Sequence, residues 1–92
     1  MMYRVYKTEH FQKRPRWIIP LLLAISPRDF IQESYDGAVS QLDYIEKTIN
    51  ESKVLTKKNR YKVKRGDGFV SIVNESGTPY LSYRIESFKE AR

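Results

Sequence analysis

Cysteine is absent from this 92-residue chain. Disulfides and thiolate metal ligands are thereby excluded. A secreted domain of this size commonly needs disulfide staples, so a reducing, cytoplasmic location is expected. Histidine is nearly absent as well, with His10 alone. A Ser–His–Asp arrangement would have to use it, and no Gly-x-Ser-x-Gly elbow accompanies it. In its basic connector His10 reads as a solvated loop residue. With one histidine and the acids Asp67, Glu75 and Glu86 dispersed, no metal or cofactor is expected. Glycine is sparse, four residues in all. Gly66-Asp67-Gly68 lacks the third glycine and the following helix of a phosphate loop, and reads as a hairpin turn.

Long apolar runs are missing too. Trp17 to Ile25 spans nine residues, far below the ~20 that cross a bilayer. Basic residues precede it, and Ala24-Ile25-Ser26 loosely resembles a signal cleavage site. The charged region ahead of it is long, however, so a buried core segment is expected and no membrane span.

What is present is a folding composition: 40% apolar and 13% aromatic, with seven tyrosines. Tyrosine suits sheets and binding surfaces. Size scaling gives roughly 5,600 Å² of folded surface against about 15,800 Å² unfolded, which supports one thin core. A single small domain over 1–92 is expected.

Met2 to Thr8 alternates as a strand, with Tyr3 and Val5 on one face and Arg4 and Tyr6 on the other. Pro20 forbids a central strand through the apolar run and resists a continuous helix. A short buried strand at Trp17–Ile19 is expected, then an irregular or helical stretch. Ser26-Pro27-Arg28-Asp29 has the form of a helix start: a cap, a proline at the first position and the acid of a capping box. Ile31, Tyr35, Ala38, Leu42, Ile45 and Ile49 then step by four and three as one apolar stripe. A helix over 27–50 is expected. Gly37 costs about 1 kcal/mol inside a helix, so a second start near Ser34–Asp36, with 30–35 extended, is the alternative. Tyr61 to Arg65, Phe69 to Asn74 and Pro79 to Phe88 read as a meander. Gly66-Asp67-Gly68 supplies its first turn through positive φ, and Asn74 to Gly77 its second. On the last strand Leu81, Tyr83 and Ile85 point one way, and Tyr80, Ser82, Arg84 and Glu86 the other.

The fold class is thus α+β, one main amphipathic helix on a mostly antiparallel sheet that ends in a three-stranded C-terminal meander. The expected core is Val5, Trp17, Ile19, Leu22, Phe30, Tyr35, Ala38, Leu42, Ile45, Ile49, Val63, Val70, Ile72, Leu81, Tyr83 and Ile85.

Charge is distributed unevenly. Ser26 to Ser52 holds six acids and two bases, a net −4; because the whole chain is +6, the remainder carries +10. Lys53, Lys57, Lys58, Arg60, Lys62, Lys64 and Arg65 run without an acid between them, and Arg14 and Arg16 belong to a second basic cluster. Lys62 and Lys64 are expected on the open sheet face beside Tyr80 and Arg84. Lysine and arginine neutralise phosphates, and tyrosine rings stack on bases. These eleven residues form the expected nucleic-acid-binding set of a non-enzymatic basic module. The carboxylates Glu33, Asp36, Asp43 and Glu46 read as a solvated helix face, with no pocket to raise a pKa for acid–base work.

The alternative is a protein-binding module, an accessory or inhibitory protein of the phage or mobile-element type. The narrow apolar stripe suits a helix-pairing seam, which also allows a homodimer.

Overall fold

The computed structural model describes residues 1–14, 16, 18–25, 31–52 and 61–89. Strand β1 is Met2–Glu9, helix α1 Ile18–Ala24, strand β2 Ile31–Gln32, helix α2 Tyr35–Glu51, and strands β3, β4 and β5 are Lys62–Gly66, Phe69–Val73 and Pro79–Phe88. The strands form one antiparallel sheet in the order β2-β1-β5-β4-β3. Both helices contribute to one core, so the architecture is α+β with a C-terminal meander. No helix among the described residues is long and apolar enough to cross a membrane.

Helix α2 begins at the later of the two expected starts. Ser34 is the cap, extended at φ −127° and ψ 153°, and its Oγ accepts from the Gly37 N–H at 3.0 Å. The continuous helix over 27–50 is therefore corrected: Ile31 and Gln32 are extended and pair with Arg4 and Tyr3 of β1. The later start places Gly37 in the first turn, away from the helix interior. The Ser26–Asp29 start signal lies outside the described residues. Ala38, Leu42, Ile45 and Ile49 are buried as the stripe required. Leu42, Ile45 and Ile49 share one core with Val5, Val70, Ile72, Leu81 and Tyr83 of the sheet. Each leucine or isoleucine so buried contributes roughly 1.5–3 kcal/mol.

The apolar run is a helix from Ile18, where a strand at 17–19 was expected. Pro20 is its third residue, inside the first turn, where N–H groups have no helical acceptor and a missing donor costs nothing. Helical spacing turns Ile18, Leu21 and Ile25 inward with Leu22 packed beside them. It turns Ile19 out, 45% exposed, so Ile19 is not core. Tyr35 also leaves the expected core at 43% exposed. As the first residue of α2 it lies edge-on to Tyr3, and its hydroxyl donates to the Asp67 carbonyl at 3.1 Å. Val63 and Ile85 are half-buried against the core. Trp17 and Phe30 lie outside the described residues.

The two meander turns differ in what they ask of glycine. Gly77 has φ 83°, and its N–H closes the turn on the Asn74 carbonyl at 2.9 Å. The Asn74 side chain accepts from Ser76 and Thr78 N–H at 3.0 and 2.9 Å. In the first turn neither Gly66 nor Gly68 has positive φ, contrary to expectation. Gly66 is needed for room, because a Cβ there would collide with the ring of Phe69, its partner across the hairpin.

Candidate functional site

Residues directly opposite in an antiparallel pair share a face. The register therefore sorts the sheet. Val5, Ile85, Tyr83, Val70, Leu81, Ile72 and Val63 face the helices. The other face is covered by no described helix. Across its strands run Lys64, Ser71, Ser82 and Thr8 in one row, and Gly66, Phe69, Arg84 and Tyr6 in the next. Lys62 lies beyond the first row, and Arg4 pairs with Glu86 beyond the second. Among the described strand residues this face carries four cations, Arg4, Lys62, Lys64 and Arg84, against one carboxylate, Glu86. Arg84 and Glu86 form an exposed ion pair at 2.8 Å, and the Arg4 guanidinium sits over the Tyr6 ring at 5.3 Å.

A hollow of about 460 Å³ opens on this face, lined by Thr8, His10, Gly68, Phe69, Ser71, Pro79, Ser82 and Arg84. His10 is anchored by its own N–H, which donates to the Tyr80 carbonyl at 3.0 Å. Its Nε2 shares a hydrogen bond with Ser82 Oγ at 3.2 Å, and Ser82 Oγ shares another with Ser71 Oγ at 2.9 Å. Ser71 is itself buried. The sequence reading missed this chain and left His10 in solvent. Its signal was present as serine at two mid-strand positions, where β-branched or aromatic residues are favoured, but only the register brings them together.

Of the expected site residues, Lys62, Lys64 and Arg84 stand exposed on the open face. Arg65 does not join them. It lies on the helix side, 2.9 Å from Asp43 and 3.5 Å from Glu46 of α2, and its Nε donates to the Gly66 carbonyl. Tyr80 also leaves the open face. The ladder shifts register at Ile72/Val73, so that Ile72 pairs Leu81 while Val73 pairs Pro79. The extra residue, Tyr80, breaks the alternation. Its ring packs with Phe11 and Tyr61 at centroid distances of 4.8 and 4.9 Å, against the core. Burial there, and then Tyr61, push its phenol above the ordinary tyrosine range.

Arg14 makes two bonds to the Glu9 carboxylate, at 2.9 and 3.1 Å, and these hold Glu9 below the usual carboxylate range. Arg16 is exposed. Lys53, Lys57, Lys58 and Arg60 lie outside the described residues. No cluster of three or more histidine, aspartate or glutamate side chains placed to hold a metal ion occurs among the described residues. Comparison with protein-family models, with curated proteins and with solved structures finds no match to this chain.

Proposed function

We propose that this chain is a cytoplasmic binding module for single-stranded nucleic acid, and that the open sheet face receives the strand. One observation carries the reading. The register gathers Arg4, Lys62, Lys64 and Arg84 around the Phe69 and Tyr6 rings on a face no described helix covers, with Glu86 the lone acid among its strand residues. Cations flanking a row of aromatic rings match a strand whose phosphates run beside its bases. The basic stretch Lys53, Lys57, Lys58 and Arg60 precedes β3 in the sequence and adds to the positive charge of the chain.

Equilibrium titration of labelled single-stranded and duplex oligonucleotides against salt tests this. Affinity falls with salt at a log–log slope of about −0.7 per phosphate contact for single strands. Lys62→Glu with Lys64→Glu weakens binding to every sequence, since lysine contacts position a strand without reading it. No binding to any oligonucleotide at moderate salt, with the reversals inert, ends the reading.

A second reading, docking on a protein, has one observation in its favour. Ile19 and Leu23, four apart on α1, are 45% and 72% exposed. A stoichiometric partner lost on Leu23→Glu, with nucleic-acid affinity unaltered, favours it instead.

A further inference from the structure

We propose that the hollow on the open face is a nucleobase subsite, in which one unpaired base lies against Phe69 and Pro79 and turns its polar edge to the Ser71–Ser82–His10 chain. The inference rests on the nucleic-acid reading above and deepens it.

The lining chemistry selects a base over a phosphate. Phe69, Pro79 and Gly68 give flat, apolar walls, while the floor offers the neutral hydroxyls of Ser71 and Ser82. A phosphate would set negative charge against Phe69 and Pro79. Arg84 is the one charged residue lining the hollow, and the Glu86 carboxylate stands 2.8 Å from it. A base is uncharged, apolar on both faces and polar along its edge. The volume of about 460 Å³ falls within the range of small-ligand sites, roughly 300–1,000 Å³. Phe69 is held in place because its ring occupies the space above Gly66, which has no Cβ to displace it.

The hydroxyl chain accommodates different bases. Ser82 Oγ stands between His10 Nε2 at 3.2 Å and Ser71 Oγ at 2.9 Å. When Nε2 lacks a proton, Ser82 donates to it and Ser71 donates to Ser82, so Ser71 offers lone pairs to the hollow. When Nε2 carries the proton, the direction reverses, and the Ser71 hydroxyl hydrogen is free to reach a ligand. One tautomeric change at His10 thus converts the floor from acceptor to donor. Base edges carry both kinds of group, so the subsite accepts bases without strong sequence preference.

The test compares oligouridylate, oligoadenylate and an abasic strand of equal length and charge, by fluorescence anisotropy at low salt. Base-bearing strands are expected to bind roughly tenfold or more tighter than the abasic strand, the gain of stacking a base. Phe69→Leu is expected to remove most of that gap and leave the salt slope unchanged, whereas the Lys62/Lys64 reversal lowers the slope and keeps the gap. If the abasic strand binds as tightly as the others while affinity still falls with salt, the strand is held but the hollow takes no base; the subsite is then overturned and the nucleic-acid reading stands. If no strand binds at low salt, both fall. Titration of the wild-type protein with adenosine, followed by amide chemical shifts, gives an answer independent of any variant's folding. Shifts centred on His10, Phe69, Ser71 and Ser82 support the subsite; their absence there overturns it.

Discussion

The Arg65 guanidinium stands 2.9 Å from the Asp43 carboxylate, fastening β3 to the acidic face of α2. Glu46 lies 3.5 Å from the same nitrogen. Two neighbouring cations in the sequence, Lys64 and Arg65, therefore do different work: strand alternation sends one to the open face and the other to the helix. Arg65→Gln is expected to lower stability by up to about 1 kcal/mol, the scale of a partly exposed ion pair. In a domain this small that is roughly 4–8 °C in Tm. Oligonucleotide affinity should change less than in Lys64→Gln. A thermal melt beside an anisotropy titration separates the two roles, and a larger affinity loss in Arg65→Gln would place Arg65 in the interface after all.

Gly66 and Phe69 face each other across the first hairpin, and a Cβ on Gly66 would run into the ring. The cost of Gly66→Ala comes from that collision, because the Gly66 backbone has no positive φ. Overpacking of this kind typically costs about 1–3 kcal/mol. Shortening the ring with Phe69→Leu should recover part of it. A double-mutant cycle of urea midpoints is expected to give a favourable coupling of about 0.5 kcal/mol or more. Strict additivity would mean that the ring moves aside freely.

The stripe on α2, the meander and the Asn74–Gly77 turn were legible because each is a local pattern: period 3.6, period 2, and turn residues between strands. The site was legible in part. Lys62, Lys64 and Arg84 follow from alternation within their own strands. Arg65 follows from the same alternation, since it shares a face with Val63, but its value as an ion-pair partner needed α2 to be placed above β3. Tyr80 was lost to a one-residue register shift, which alternation cannot foresee. His10, Ser71 and Ser82 lie on three different strands or their ends, and nothing in their spacing along the chain announces a contact made across β1, β5 and β4. Pro20 misled for a related reason: proline is costly in the interior of a helix and free in its first turn, and the sequence does not state where the helix begins.

Leu42 is fully buried at the centre of the α2 stripe. Leu42→Ala is expected to cost about 2–5 kcal/mol through lost burial and the cavity left behind. Against a total stability of roughly 5–15 kcal/mol for a native domain, that is enough to unfold much of the population on mild warming. Leu23, 72% exposed on α1, is the matched control. Leu23→Ala should stay within about 0.5 kcal/mol, as surface changes do. Equal losses at the two positions, measured by urea unfolding, would contradict the arrangement of both helices.

Tyr83 couples the core to alkaline pH. It is buried on the helix side of β5, and burial, followed by the Glu9 charge, raises its phenol well above the ordinary tyrosine value. In the unfolded chain the same phenol titrates near pH 10. Above that pH the unfolded state releases a proton that the folded state retains. The stabilising contribution is therefore fully present below about pH 10 and is lost as pH rises beyond it, at about 1.4 kcal/mol per pH unit. Tyr83→Phe keeps the ring and removes the titration. In this variant the fall in urea midpoint between pH 10 and 11 is expected to become shallower. Every other group is common to the two proteins and cancels in the comparison. If the two alkaline limbs run parallel, the buried phenol is not what limits stability there.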